Sequence, residues 1–288
     1  MHKIISAFLL ILHVFSGYGQ SGMDSQQNAI TDLYLPLIVG HRGGYDARLP
    51  ENSISLFNFT YENACSKPVG IEFDIRESAS GSLYLVHDST VDRTTNGRGK
   101  ISLLTDTYIN SLFLKDREGN LTTERIPLFS DVLKHFEDKN CMLMLDVKGK
   151  IYPKVIRMVE ESGMESKCII LTFNLYNTRL VKEKTDKILI SALVRNRADW
   201  ESLLTLKIPS LQLLSYVNKE TPLDIINEIT QSEVKVLTDM SENIYNNSQH
   251  FEPEYYRNYL AKMKLGIMVT DYPVYVNKLF CKDYTVPE

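Results

Sequence analysis

Eight short apolar runs separated by amphipathic stretches constrain this chain more than any other feature. They are LPLIVG (35–40), GIEFDI (70–75), MLMLDV (142–147), CIILTF (168–173), ILISALV (188–194), SLQLLS (210–215), VKVLT (234–238) and GIMVT (266–270). Each is rich in Ile, Val and Leu with little polar alternation, as parallel strands buried on both faces are. Between them run SISLFNFTYENA, FSDVLKHFED, YPKVIRMVEES, NTRLVKEKT, ADWESLLTL, TPLDIINEIT and PEYYRNYLAKM, and PVYVNKLFCK closes the series. Several open on Ser, Thr, Asn or Asp, or carry Pro in the first turn, as helix starts do. Eight strands alternating with helices over 288 residues predict an α/β fold, a (β/α)8 TIM barrel, with a doubly wound open sheet as the alternative. One long excursion, from about residue 76 to 128, lies between strands two and three, and a gap of that length in a compact barrel marks a functional insert.

The net charge of −4 and a pI near 5.9 offer no basic field, which argues against nucleic acid as a partner. Residues 1–19 read as a signal peptide: His2 and Lys3, then the apolar IISAFLLILHVF, then small residues up to Gly19. The mature domain is then 20–288, exported to a periplasm or secreted. An uncleaved anchor is the alternative, but the run is short for a span and contains His13. No later run is long enough to cross a bilayer, so no stable membrane insertion is expected after cleavage. Cys65, Cys141, Cys168 and Cys281 allow three pairings in an exported protein. Free structural thiols are the expectation, with Cys141 and Cys168 at strand starts. Oligomeric state has no signature here.

Barrel enzymes carry their chemistry at the carboxyl ends of the strands. His41 and Arg42 stand directly after strand one, in HRGGYDARLPENS. Glu72 and Asp74 are two apart on strand two and share a face; Ile71, Phe73 and Ile75 take the other. On strand three, Met142, Met144, Asp146 and Lys148 share a face, opposite Leu143, Leu145 and Val147. Three carboxylates converging on one mouth repel each other. A divalent cation would relieve that, and hard oxygen ligands suit Mg2+ or Ca2+ better than zinc. An interior ion-pair network neutralised by Lys148 is the equal alternative. His87, before Asp88 in the insert, is weak evidence alone. With His41, Arg42, Lys148 and the acidic cluster it completes a set that suits cleavage of a phosphodiester.

These pieces resemble the glycerophosphodiester phosphodiesterase family. The match lies in HRGG…PENS (41–53), GIEFDIR (70–76), HDSTVDRTTNGRGKIS (87–102), IPLFSDVLKHF (126–136), LDVKGK (145–150) and VTDYP (269–273), in the family's order. The resemblance implies a phospholipase C-like barrel and metal-dependent hydrolysis of a small-molecule glycerophosphodiester to sn-glycerol 3-phosphate and an alcohol. It implies His41 and His87 as the acid–base pair, Glu72 and Asp74 as metal ligands with Asp146 beside them, and Arg42 and Lys148 on the phosphate. In the family scheme a neighbouring glycerol hydroxyl attacks first, and water then opens the cyclic phosphate. Which histidine is acid and which is base stays open.

Two departures stand out. The family commonly has glutamate where this chain has Asp146, and VLTDMSEN replaces an expected tryptophan-bearing motif at strand seven, leaving Asp239 without an assigned role. Glu51 and Asn52 are expected to brace the first loop, with Asn52 capping the next helix. Arg93 and Asn96–Gly97 read as ordering the insert, Asp271 as a turn residue, Trp200 as packing, and Phe173 and Tyr216 as core or as the lining of an alcohol pocket. Two alternatives to glycerophosphodiester hydrolysis stand: cleavage of a phosphoinositol or sugar phosphodiester, and a catalytically silent barrel that binds a phosphorylated ligand.

Overall fold

The computed structural model describes residues 36–282, so the predicted leader lies outside the described residues. The described strands, in chain order, are β1 (Leu37–Gly40), β2 (Val69–Glu77), β3 (Leu83–Leu85), β4 (Phe113–Lys115), β5 (Leu121–Arg125), β6 (Cys141–Val147), β7 (Cys168–Thr172), β8 (Leu189–Leu193), β9 (Leu213–Tyr216), β10 (Lys235–Asp239) and β11 (Leu265–Thr270). All eight predicted strands are among them. They pair in parallel, and β1 bonds to both β2 and β11, which closes the (β/α)8 barrel. The open-sheet alternative is thereby removed.

Strand parity builds the two faces of the wall. Ile71, Phe73, Ile75, Leu143, Leu145 and Val147 point outward and pack with Phe57, Phe129, Phe136 and Val155 from the covering helices. Leu37, Val39, Met142, Met144, Ile169, Ile267 and others fill the inside. All eight predicted helices form, from Ile54–Asn63 to Pro273–Lys282. The largest shift of a boundary is at β9, which begins at Leu213 instead of residue 210, because the amides of Gln212 and Leu213 both bond back to the Pro209 carbonyl and hold a turn there.

The insert is ordered. β3 runs antiparallel to the end of β2, with Ile75 facing Leu85, and β4 and β5 form a hairpin. Its own cluster includes Tyr84, Val86, Val91, Ile101, Ile109 and Leu114, all buried. Burial of such side chains contributes about 1.5–3 kcal/mol each, which offsets the ordering of a long excursion.

The cysteines correct one expectation. Cys141 and Cys168 are free and buried, but Cys65 and Cys281 form a disulfide. It ties the segment after the first barrel helix to the last helix, where Asn277 Oδ1 accepts from the Cys65 amide at 2.8 Å. No described helix is long and apolar enough to cross a membrane.

Candidate active site

At the carboxyl end of the barrel the inward face turns from apolar to acidic. Asp74 of β2 and Asp146 of β6 are partners in register, and Glu72 lies one inward position below, beside Met144. Glu72 is 3% exposed, Asp74 1% and Asp146 8%. One carboxylate oxygen from each lies within 4.8 Å of the other two. Aspartate at position 146 therefore reaches the cluster. Burial and the neighbouring Asp74 charge hold Glu72 well above the usual carboxylate range. Burial also raises Asp146. Asp74 goes the other way: burial works to raise it, but Lys148, His87 and Arg42 outweigh this and lower it.

Lys148 sits among these acids. Its ammonium lies 3.0 Å from Asp74 Oδ1 and bonds Asp146. Glu72 has no lysine; its Oε2 accepts the Arg42 amide at 2.7 Å. One ammonium thus serves two of the three carboxylates. The all-oxygen donor set of three clustered carboxylates fits a hard divalent cation.

The two glycines after Arg42 are required by close packing. Gly43 has φ +94° and an added Cβ would sit 2.6 Å from Phe57; Gly44 has φ +108° and the same atom would meet Pro273 at 2.6 Å. Arg42 itself adopts φ 51°. This tight turn aims His41 and the Arg42 amide into the mouth. Arg42 Nη1 donates to Glu51 at 3.2 Å, while its buried Nε, 3.7 Å from Asp74, has no hydrogen-bond partner among the described residues.

Each predicted histidine is held through Nδ1 by an aspartate. His41 Nδ1 donates to Asp271 Oδ1 at 2.8 Å. Burial disfavours charge on that ring, yet Asp239, the Asp271 bond and Glu72 together push it up to about 10. His87 Nδ1 donates to Asp88 Oδ1 at 2.8 Å, and the His87 carbonyl accepts from Arg76 Nε at 2.9 Å. His41, Glu72, Asp146, Asp239, Phe173 and Tyr216 share a cavity of about 50 Å³. Asp239 and Tyr216 also border a neighbouring chamber of about 510 Å³, lined by Tyr245, Phe251, Tyr255 and Tyr259.

With this geometry in hand, the comparison with known proteins is decisive at the family level. The sequence model of the glycerophosphoryl diester phosphodiesterase family matches residues 41–273. The chain belongs to that family. A glycerophosphodiester phosphodiesterase of Caldanaerobacter subterraneus subsp. tengcongensis is 34% identical over 164 residues, 54% of this chain and 66% of that protein. The chain thus matches a little under two thirds of that relative's length. A glycerophosphoryl diester phosphodiesterase from Parabacteroides distasonis shares the fold at TM-score 0.80 and 24% identity, covering 93% of this chain and 94% of that one. An Oleispira antarctica phosphodiesterase, solved in complex with the product sn-glycerol-3-phosphate, matches at TM-score 0.67 and 18% identity over 86% of this chain and 98% of that one.

In this family member the sequence-predicted residues converge, but some partners differ from expectation. Asn52 does not cap the helix that follows. Ser53 does, accepting from the Leu56 amide at 3.2 Å, and Asn52 Nδ2 instead donates to Asp74 Oδ2 at 3.0 Å. The cap needs the residue whose side chain folds back over the first turn, and Ser53 occupies that position. Asp271 is the partner of His41 as well as a turn residue. Glu242, unremarked in the sequence, is buried; it accepts from Tyr256 Oη at 2.9 Å and from the Asp271 amide at 3.1 Å, so it holds the Asp271 turn. Two inward-facing acids, Asp239 and Asp271, follow Leu237 and Val269 by two residues, and that spacing was the available signal. Trp200 is buried and donates to Glu228, as a packing residue.

Proposed function

We propose that the protein is a metal-dependent phosphodiesterase that cleaves a glycerophosphodiester into sn-glycerol 3-phosphate and an alcohol. The observation that carries this is a pair of histidines, each oriented through Nδ1 by an aspartate, beside a buried cluster of three carboxylates. Glu72, Asp74 and Asp146 would hold Mg2+ or Ca2+, which supplies Lewis-acid charge stabilisation at the phosphate. The Arg42 guanidinium, whose Nε makes no hydrogen bond among the described residues, and the Lys148 ammonium supply further positive charge for a diester anion.

His41 and His87 share the proton work in this reading. One takes the proton of the neighbouring glycerol hydroxyl as that oxygen attacks phosphorus, and the other gives a proton to the departing alcohol. A cyclic phosphate forms, and water opens it with the two roles exchanged. The aspartate on each Nδ1 leaves Nε2 free to face the reaction. The aromatic chamber beside Asp239 is the room for the alcohol. A product complex in an Oleispira antarctica relative of the same fold supports sn-glycerol 3-phosphate as the retained half.

Residues 1–19 act as an export signal in this proposal, and the mature chain 20–288 works in a periplasm or outside the cell on lipid-derived diesters. A disulfide at Cys65–Cys281 agrees with an oxidising compartment. The second reading, a silent barrel, draws on the Lys148 bridge between Asp74 and Asp146, which neutralises part of the cluster without any ion.

The deciding experiment assays sn-glycerol 3-phosphate release from mixed glycerophosphodiesters with Mg2+, with Ca2+ and with EDTA, beside His41→Ala. Release that needs an ion and disappears in the variant is expected. No release with any ion, together with tight diester binding, would favour the silent barrel.

A further inference from the structure

Arg93 of the insert bridges its own strand-end histidine segment to the barrel rim. Arg93 Nε donates to Asp88 Oδ2 at 2.7 Å and its Nη2 to Asp88 Oδ1 at 3.1 Å. The other edge of the same guanidinium meets the buried Glu51: Nη1 to Oε2 at 2.8 Å and Nη2 to Oε1 at 2.8 Å. Asp88 in turn holds His87 Nδ1 at 2.8 Å. Glu51 belongs to the loop of His41, and its Oε1 also accepts from Arg42 Nη1. A continuous chain of hydrogen bonds therefore runs His87–Asp88–Arg93–Glu51–Arg42, joining the two loops that carry the histidines.

The two ends of this chain differ in rigidity. The Glu51 side chain is 4% exposed and also receives Arg117 Nη1 at 3.0 Å, so it is a fixed point. Asp88 and His87 are 30% and 35% exposed. A half-exposed carboxylate paired with a half-exposed histidine adds little by itself and leaves both side chains room to rotate. Arg93 changes that, because its planar fork sets the plane of the Asp88 carboxylate from a buried anchor. It is also the foremost cause of the low Asp88 pKa, which keeps that group an acceptor.

The backbone of this segment does not depend on Arg93. The His87 carbonyl is held by Arg76, the Val91 amide bonds to the Gly99 carbonyl, and the Ile101 amide bonds to the Ser89 carbonyl. What depends on Arg93 is the rotamer and tautomer of the His87 ring. We infer that Arg93 is a positioning residue: acting through Asp88, it fixes the His87 imidazole with Nδ1 protonated and Nε2 directed into the site, in register with the His41 loop. The kinetic consequence rests on the function proposed above; the hold on the ring does not.

The test uses Arg93→Ala and Arg93→Lys in the full mature chain, with glycerophosphoethanolamine as the probe and Mg2+ present. Arg93→Ala lowers kcat by about 10- to 100-fold with KM changed less than about threefold, as expected for a misaimed acid–base group. Methylguanidinium restores part of that loss. Lysine, a point charge that cannot grip two carboxylates, recovers little of it. Asp88→Asn adds nothing further in the Arg93→Ala background. Arg117→Met, which removes bonds to Glu51 and to the Gly44 carbonyl but none to Asp88, separates loss of the insert's anchoring from loss of the His87 hold and costs less in kcat. A second readout is independent of turnover: 15N ring shifts of labelled histidine, assigned with His87→Gln, show the Nδ1–H tautomer in the parent at a pH where the ring is neutral, and lose it in Arg93→Ala. An unchanged His87 tautomer, equal losses in Arg117→Met and Arg93→Ala, or an effect on KM alone would overturn the inference. If the parent chain releases no sn-glycerol 3-phosphate, the proposed function fails, and the tautomer measurement still decides the role of Arg93.

Discussion

Removing the ion should expose the electrostatic cost stored in the acidic cluster. Glu72 is pushed up to about 8 by burial and by the charge of Asp74, against an ordinary 4.5. Its folded pKa thus lies above its unfolded one, so the ion-free protein loses stability as pH rises from about 4.5 to about 8, where Glu72 is forced to ionise. A divalent cation bound only to the folded chain reverses this. At one hundred times its Kd it adds about 2.7 kcal/mol. For a domain of this size each kcal/mol moves Tm by about 2–4 °C, so the expected rise is about 5–10 °C at pH 8. At pH 6 the ion must first displace the Glu72 proton, which is only half present at pH 8, so apparent affinity falls about fiftyfold. The same ion concentration then stands at about twice its Kd and adds only about 0.6 kcal/mol, a rise of about 1–3 °C. The assay is thermal unfolding with Mg2+, Ca2+ or Mn2+ against EDTA at pH 6, 7 and 8, on the parent chain and on Glu72→Gln. A rise of equal size at pH 6 and pH 8, or one that survives undiminished in Glu72→Gln, would refute the reasoning. Absence of any rise would leave the cluster as an ion-pair network around Lys148.

Four further outcomes follow from the same geometry. Asp271→Asn replaces the carboxylate that accepts from His41 Nδ1 with a neutral amide whose NH2 can impose the other tautomer, and lowers kcat by about a hundredfold or more with little change in KM, measured by sn-glycerol 3-phosphate release. The His41 pKa of about 10 lies above its ordinary 6.5, so in EDTA its contribution to stability is present below about pH 6.5 and is lost as pH rises to about 10; urea midpoints across that window should decline less in Asp271→Asn. Glu51→Gln leaves three guanidiniums without their shared carboxylate, which Arg42, Arg93 and Arg117 hold down to about 2 against the raising effect of burial; breaking such a buried cluster costs about 3 kcal/mol, a Tm loss of about 6–12 °C by calorimetry. Cys65→Ser paired with Cys281→Ser opens a loop closed across 216 residues of sequence and lowers Tm by about 10 °C, with kcat unchanged at 25 °C.

The barrel was legible because its strands are apolar on both faces and its helices on one, and those two periods are local. Leu37–Gly40, Val69–Glu77 and Cys141–Val147 emerge within a residue or two of their predicted bounds. The insert's strands were not legible for a physical reason. β3 and β4 have three residues each, and β5 (LTTER) is exposed at alternate positions, so no window carries a period. The disulfide was hidden for the opposite reason, since Cys65 and Cys281 meet only after the barrel has closed.

The site follows the same division. Parity on β2 and β6 was enough to aim Glu72, Asp74, Asp146 and Lys148 inward, because a strand's own geometry decides which side chains share a face. Parity fails where the chain leaves the strand. His87 lies beyond β3, and its placement depends on β3 pairing antiparallel with β2, where the Val86 amide bonds to the Asp74 carbonyl and delivers the next residue to the rim. The histidine partners are a harder case still. His41 and Asp271 are 230 residues apart in sequence, and nothing near either one names the other. Only closure of β1 onto β11, with Gly40 beside Thr270, sets their loops side by side. The carboxylate cluster is therefore a property of two strands, whereas the oriented histidines are properties of the closed ring. A substitution that loosens the β1–β11 seam should cost acid–base competence before it costs ion binding, since Glu72, Asp74 and Asp146 sit on β2 and β6, whose mutual pairing does not pass through that seam.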